Sequence, residues 1–179
     1  MPIHLDDLEV IPKVEGFDTV LIVACNMCAG ASISMRENKP FIQFFKSFLK
    51  SPPLEKHIKK LESQLAEKGV KVIKFKSGII QQFFLCLWTT RQRKKLHEVA
   101  KQCDAVIVLG CDSAFKTVVD AVKGSGCVVI KGMEVSGVMN TKTKFQFPGD
   151  IYFEDAKTVH ICDRHCKFFD KKNQHKKGG

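Results

Sequence analysis

Short apolar runs alternate with amphipathic segments through the central part of the chain. Each run is nearly continuous in Val, Ile, Leu or Ala, which is typical of parallel strands that are buried on both faces. We predict four strands, at Thr19 to Ala24, Val70 to Phe75, Ala105 to Leu109 and Cys127 to Ile130.

The segments between these runs have helical spacing. One helix carries apolar residues from Leu54 to Leu65 and is expected to stop at Gly69, because glycine commonly ends helices. A second begins near Thr90, and a third runs from Asp112 or Ser113 to Gly124. Alternating strands and helices predict an α/β fold: a three-layer, open parallel sheet (Rossmann-like) with right-handed crossovers and a Cys/His-containing basic C-terminal extension.

The remaining segments suggest how the chain is organised. Residues 1–17 are polar and read as an N-terminal arm, 18–150 as the parallel α/β cluster-binding domain, and 151–179 as the basic tail. Residues 39–50 form a helical insertion in this domain, since phenylalanines recur at helical spacing after a proline. We expect this basic, Phe-rich helix to have one of three roles: to cover the sheet edge, to dock a partner, or to contact a membrane surface.

Charge and cysteine usage limit the class of protein. The formal net charge is +10, which favours an acidic partner or anionic ligand unless the lysines lie on solvated faces and in a tail. No nucleic-acid motif is present, and no apolar run approaches the roughly 20 residues of a membrane span. The eight cysteines lack the spacing of a disulfide scaffold, so we expect reduced thiols and a cytoplasmic protein.

Four cysteines are expected at the carboxyl edge of the predicted sheet. Cys25 and Cys28 follow the first strand, Cys111 follows the third, and Cys86 lies in the connection between them. Ligands bind at this edge of an open parallel sheet. Four thiolates suit a 4Fe-4S cluster or a zinc ion, between which the sequence does not decide. The alternatives are a thiol-disulfide redox motif formed by Cys25 and Cys28, and cysteines that serve only as small core residues.

Weaker candidates lie elsewhere in the chain. Cys103 and Cys127 are expected at the opposite edge of the sheet, where the core interpretation is favoured. Ser113 and Lys116, at the start of a helix, are candidates for binding an anion. A second metal site is a candidate near the C-terminus, with the ligands His160, Cys162, His165 and Cys166.

Three pieces of the sequence resemble a known family. They are Cys25-Asn26-Met27-Cys28-Ala29-Gly30, the run Asp104 to Cys111 with Thr117-Val118 after it, and Asn140-Thr141. Over roughly residues 19 to 150 the chain resembles the small iron-sulfur subunit of bacterial methylenetetrahydrofolate reductases and the related C-terminal domain of some of those enzymes. The family often has another cysteine four residues after the second, where this chain has Ser32.

The resemblance implies a function. It implies a parallel α/β domain in which Cys25, Cys28 and Cys111 are ligands of a 4Fe-4S cluster. Cys86 is assigned as the fourth ligand only by its place between the second and third strands. Such a chain is a non-catalytic subunit that relays electrons to, or supports, a flavin- or corrinoid-bearing partner in the one-carbon or methyl-transfer metabolism of an anaerobe. A second copy of the same chain, forming a homo-oligomer, is the other candidate partner. The alternative function is a zinc-thiolate protein that activates a thiol or methyl group.

Overall fold

The computed structural model describes residues 3–47, 50–75 and 83–160. Its strands are β1 (Ile3–Asp7), β2 (Thr19–Ala24), β3 (Ile42–Gln43), β4 (Lys71–Lys74), β5 (Ala105–Leu109), β6 (Val128–Lys131), β7 (Met133–Gln146) and β8 (Asp150–His160). Its α-helices are α1 (Cys28–Glu37), α2 (Phe44–Ser47), α3 (Pro52–Glu67), α4 (Thr90–Ala100) and α5 (Asp112–Val122). Short 3₁₀ helices occupy Ile11–Val14 and Leu85–Leu87.

The predicted strands form one parallel sheet in the order β4-β2-β5-β6. The α/β class and the parallel sheet are therefore confirmed. Strand β5 is buried along its whole length, which explains its continuous apolar sequence, since parallel strands inside a sheet contact apolar side chains on both faces. The chain moves from β2 outward to β4 and then crosses back to β5, so the strand order reverses between β2 and β5.

A second, antiparallel sheet was not predicted. Its strand order is β1-β7-β8-β3. β1 lies inside the segment expected to be an arm and pairs with β7, with Ile3 opposite Val138. β7 and β8 form a long hairpin, and β8 begins at Asp150, next to the start of the expected tail. The fold is thus a mixed α/β arrangement with two sheets.

Helices α4 and α5 pack against each other, and α1 packs against both α3 and β1. The main core includes the central strands together with one side of each of these helices, as shown by fully buried Leu21, Leu65, Leu96 and Ile107. A smaller apolar cluster joins α1 to the hairpin, where the Phe41 and Phe153 rings lie 5.1 Å apart. These contacts attach the second sheet to the first through α1.

The helical insertion predicted for residues 39–50 is shorter than expected. Ile42–Gln43 is a strand paired with the start of β8, and the helix begins at Phe44, with Phe44–Ser47 as its described part; residues 48 and 49 lie outside the described residues. Phe41 precedes the helix and is buried, because it packs under the hairpin. Phe44 and Phe45 remain partly or largely exposed beside the hairpin turn. Phe-rich spacing here therefore reflects a strand followed by a helical turn.

The described helices include none with both the length and the apolar character needed to cross a bilayer.

Candidate metal centre

The reversal of strand order between β2 and β5 marks the place where open α/β sheets bind ligands. Cys25 directly follows β2, and Cys111 follows β5 after a single glycine. The backbone N–H of Cys25 donates to the Leu109 carbonyl at 2.8 Å, which holds the two strand ends side by side. Two thiols that are 86 positions apart in the chain are therefore brought to the same crevice.

Cys25, Cys28 and Cys111 form one group, which we call the cysteine triad. Cys28 is joined by side-chain hydrogen bonds to both Cys25 and Cys111. Cys25 and Cys111 are buried, with 2% and 5% of their surface exposed, whereas Cys28 is half-buried. The structure thus brings together three of the four cysteines that the sequence predicted as ligands.

Several backbone amides are directed at Cys25. The hydrogen bond from Cys28 lowers the pKa of the Cys25 thiol to about 7, against the opposing effect of burial, and the N–H groups of Leu85, Cys28 and Met27 lower it further. When protonated, this thiol donates to the Phe83 carbonyl at 3.3 Å. Cys25 is therefore surrounded by donors that favour its anionic form.

Cys111 occupies the N-cap of α5. The hydrogen bond from Cys28 lowers the pKa of the Cys111 thiol to about 5, and the amides of Ala114 and Ser113 add to this effect while burial opposes it. Free N–H groups and the helix dipole both favour an anion at a helix start. Cys111 is thus the strongest thiolate of the triad.

Cys28 has the opposite character. The single S–H of Cys28 donates to Cys111 or to Cys25, and these contacts together with partial burial raise the pKa of its thiol well above the ordinary value. The N–H of Ile3, at the start of β1, also contacts the Cys28 sulfur. The triad therefore holds one proton on Cys28 between two thiolates, and ligation of a cation would replace that proton.

Cys86 lies at the edge of this group. It sits in the 3₁₀ helix Leu85–Leu87, whose first residue donates its amide to Cys25. Its side chain is exposed, and the pKa of its thiol is raised by partial burial and by the charges of Cys25 and Cys111. Cys86 is therefore near enough to feel the triad electrostatically, although no side-chain hydrogen bond joins it to the triad in the described structure.

Two residues that sequence reasoning did not select as site residues help to shape the site. Gly110 lies between the two strand ends, and a Cβ atom there would be 3.0 Å from the Ala114 Cβ and 3.2 Å from the Cys25 Cβ. Ser32 is fully buried, donates to the Cys28 carbonyl at 2.8 Å and accepts the Leu5 N–H at 2.9 Å. Ser32 therefore holds β1 against the helix that carries Cys28.

The CxxC loop itself is fixed by Asn26. Its side-chain oxygen accepts the N–H of Ser51 at 3.1 Å, just before α3, and the residue is 95% buried. The Met27 N–H donates to the Phe83 carbonyl at 3.3 Å, which connects the loop to the segment that leads to Cys86. The two middle residues of the motif thus tie the thiols to both neighbouring segments.

Of the other predicted candidates, only Ser113 adjoins the triad among the described residues, through its backbone amide. Cys103 and Cys127 are at the amino-terminal edge of the sheet, where burial raises the pKa of Cys127 to about 11. Lys116 pairs with Asp120 at 3.0 Å, and Ser113 is exposed. The side chain of His160 and residues 162, 165 and 166 lie outside what the structure describes.

Fold and site together define a mixed α/β domain with a cysteine triad at the strand-order reversal of its parallel sheet. Within the described ranges, no group of three or more His, Cys, Asp or Glu side chains is arranged as a metal site. Compared with known protein families, with curated proteins and with solved structures, the chain has no match.

Proposed function

We propose that the cysteine triad, completed by Cys86, holds a 4Fe-4S cluster, and that the chain is an accessory or electron-transfer subunit. The convergence of three thiols at the strand-order reversal is the observation that carries this proposal. The donor set fits, since iron-sulfur clusters are held by cysteine thiolates and their potentials are tuned by hydrogen bonds to sulfur. The amides of Leu85, Ser113 and Ala114 already point at triad sulfurs.

The protein residues have defined roles in this proposal. Cys25 and Cys111 supply thiolates in buried positions, Cys28 gives up its proton on ligation, and exposed Cys86 closes the site from the solvent side. When bound, the cluster would supply one-electron transfer. We further propose that the parallel sheet and its helices form a Rossmann-like three-layer unit, as expected for this class of domain.

The surface next to Cys86 supports a role beside a partner protein. Phe84 is 40% exposed and Leu87 is 73% exposed, so two apolar side chains flank the outermost thiol. Exposed apolar side chains that lie together often mark protein interfaces. The resemblance to the small subunit of methylenetetrahydrofolate reductases makes a flavin- or corrinoid-bearing enzyme of one-carbon metabolism the proposed partner.

A zinc-thiolate site is the second candidate, and one observation favours it. Cys28 makes side-chain contacts with both Cys25 and Cys111. A single tetrahedral zinc ion binds each sulfur at about 2.3 Å, so its ligands lie close to one another, as these thiols do. A cubane cluster, in contrast, requires each thiolate to bind a different iron.

Metal and sulfide analysis of protein purified without oxygen tests the proposal. We expect about four irons and four sulfides per chain, with broad visible absorption near 400 nm. Cys86→Ser should lower this content, while the matched control Cys103→Ser, at the opposite edge of the sheet, should not. Full iron and sulfide in Cys86→Ser would reject Cys86 as a ligand. Zinc without sulfide would replace the first proposal by the second.

The folate connection needs its own experiment. The loaded chain, reduced with dithionite, is mixed with a flavin-dependent methylenetetrahydrofolate reductase in its oxidised form, and flavin reduction is followed by absorbance. Reduction that depends on Cys111 would support this part of the proposal. A flavin that remains oxidised while the cluster is intact would refute it and leave only the cluster-binding function.

A further inference from the structure

Helix α4 begins three residues after the 3₁₀ helix that carries Cys86, and its exposed face is basic at this end. Arg91, Lys94 and Lys95 are all exposed and follow the i, i+3, i+4 spacing of one helix face. We call this set the basic stripe. Lys95 also lies over the Phe75 ring, 5.9 Å from its centroid. Arg91 is only five residues from Cys86 in the chain, so the start of the stripe lies within about 18 Å of the outermost cysteine along the backbone.

The charges of the basic stripe are not explained by helix stability. Acidic side chains stabilise the start of a helix and basic ones destabilise it, because the helix dipole is positive there. The first turn of α4 has no acidic residue. Among the ion pairs within the described ranges, none includes Arg91 or Lys94. The helix thus keeps Arg91 in the turn where a cation is least favourable, with Lys94 one turn further on.

The backbone under the basic stripe is firmly held. Thr89 and Gln92 form a reciprocal capping box, and Trp88 and Leu96 are buried on either side of the helix start. The Arg93 side chain donates to the Trp88 carbonyl at 3.2 Å. The exposed cations therefore stand on a rigid helix start, which lowers the cost of ordering them when a partner binds.

Apolar side chains accompany the basic stripe on the Cys86 side. Leu87 and Phe84, one and two residues from Cys86 in the chain, are exposed, and the cations begin only four residues beyond Leu87. Specific interfaces combine apolar anchors with a polar or charged rim. Cations in the rim favour partners with carboxylates in matching positions and speed their encounter.

We propose that Phe84, Leu87 and the basic stripe form the docking surface for a small acidic electron-carrier protein. The inference rests on the proposed function, since it places the carrier's redox group next to Cys86, the outermost proposed ligand. The carrier and the proposed flavin- or corrinoid-bearing enzyme would use this surface in turn, because both exchange electrons with the same cluster. One electron would pass between the cluster and the carrier, so that one is oxidised as the other is reduced and no bond is made or broken. The positive surface selects a carrier whose redox group is ringed by carboxylates.

A flavodoxin, whose surface is acidic, serves as the probe. Its binding is measured by calorimetry with the anaerobically purified chain and with the double variant Arg91→Glu/Lys94→Glu. We expect the double variant to bind at least about tenfold more weakly. Raising salt from about 20 to 200 mM should weaken the wild type much more than the variant, because screening removes the attraction of exposed charges.

Matched controls separate the surface from net charge and from folding. Lys59→Glu/Lys60→Glu makes the same charge change on exposed positions of α3 and should bind within about twofold of wild type. Leu87→Ser removes an exposed apolar side chain, so it should fold normally and still weaken binding. Equal losses in both double variants would overturn the proposal, as would wild-type binding by Arg91→Glu/Lys94→Glu.

Two further outcomes distinguish the inference from the proposed function. If the chain contains no iron or sulfide but flavodoxin binding still depends on Arg91 and Lys94, the docking surface stands and the proposed function fails. If the cluster is present but a DNA duplex of about 20 base pairs binds more tightly than flavodoxin through the same residues, the surface is a nucleic-acid site. That second result would overturn the docking proposal alone.

Discussion

Gly110→Ala perturbs the candidate metal centre through packing alone. The substitution adds one methyl group between the ends of β2 and β5, where it would meet the Ala114 Cβ at 3.0 Å and the Cys25 Cβ at 3.2 Å. Both are Cβ atoms, whose positions are set by the backbone, so neither moves aside by a change of rotamer. We therefore expect the strand end that carries Cys25, or the first turn of α5, to shift.

The magnitude follows from two opposing effects. Overpacking a well-packed core costs about 1–3 kcal/mol. Replacing glycine by alanine also restricts the unfolded chain, which stabilises the fold by about 0.4–1 kcal/mol. The net expectation is a loss of about 1–2 kcal/mol in the free energy of unfolding. For a chain of 179 residues, this corresponds to a fall in melting temperature of about 2–8 °C.

The assay combines urea unfolding with metal analysis of the same preparation. Gly110→Ala should lose stability and also bind less metal, because the added methyl group displaces Cys25 relative to Cys111. Gly124→Ala is the control: its backbone φ of +81° makes alanine unfavourable by about 1–2 kcal/mol, but nothing lies near the added Cβ. Gly124→Ala should lose stability and keep its metal. Wild-type stability together with full metal content in Gly110→Ala would refute the close packing described here.

Further predictions concern the thiols and the strand that covers them. In metal-free, reduced protein, absorbance near 240 nm should report a thiolate with a pKa of about 5. Cys111→Ser should remove this titration. A first thiolate that appears only above about pH 8 would contradict the assignment. The pKa of Cys111 in the folded chain lies below its ordinary value of 9.0, so its contribution to stability is complete above about pH 9 and is lost as pH falls through about 5. The free energy of unfolding of the metal-free chain should therefore decrease as pH is lowered from about 9 to 5. The decrease should be less steep in Cys111→Ser. Ser32→Ala leaves the Leu5 amide without its partner and should lower the free energy of unfolding by about 1–3 kcal/mol. Hydrogen exchange at the Leu5 amide should become faster. Unchanged exchange there would show that Ser32 does not hold β1.

The parallel sheet was predictable because its sequence signal is local. β2 and β5 have the bounds that their apolar runs indicated, since strands buried on both faces leave little room for polar residues. Once two parallel strands are recognised, the proximity of Cys25 and Cys111 follows from the geometry of the sheet edge. The exposed position of Cys86 did not follow, because it depends on how Leu85 and Trp88 are buried around it.

The antiparallel sheet was missed for two different reasons. β1 pairs with β7 across most of the chain, and five residues with two carboxylates carry no local sign of that pairing. The hairpin had a usable signal, since Pro148-Gly149 separates two segments of strand-like sequence and such dipeptides mark turns. Two lysines and a run of exposed positions obscured the alternation of β7 beyond Met139.

The pairing of β1 with β7 has a consequence for biosynthesis. Ile3, whose amide contacts the Cys28 sulfur, lies opposite Val138 and leaves the ribosome 135 residues earlier. At roughly 5–20 residues per second, translation needs about 7 to 27 s to supply the strand that holds Ile3 in place. A nascent chain that ends just before Met133 already contains Cys25, Cys28, Cys86 and Cys111 but lacks β7. During that interval β1 has no partner strand, so the Ile3 amide is not yet held against the Cys28 sulfur while metal donors and oxidants already have access to the chain.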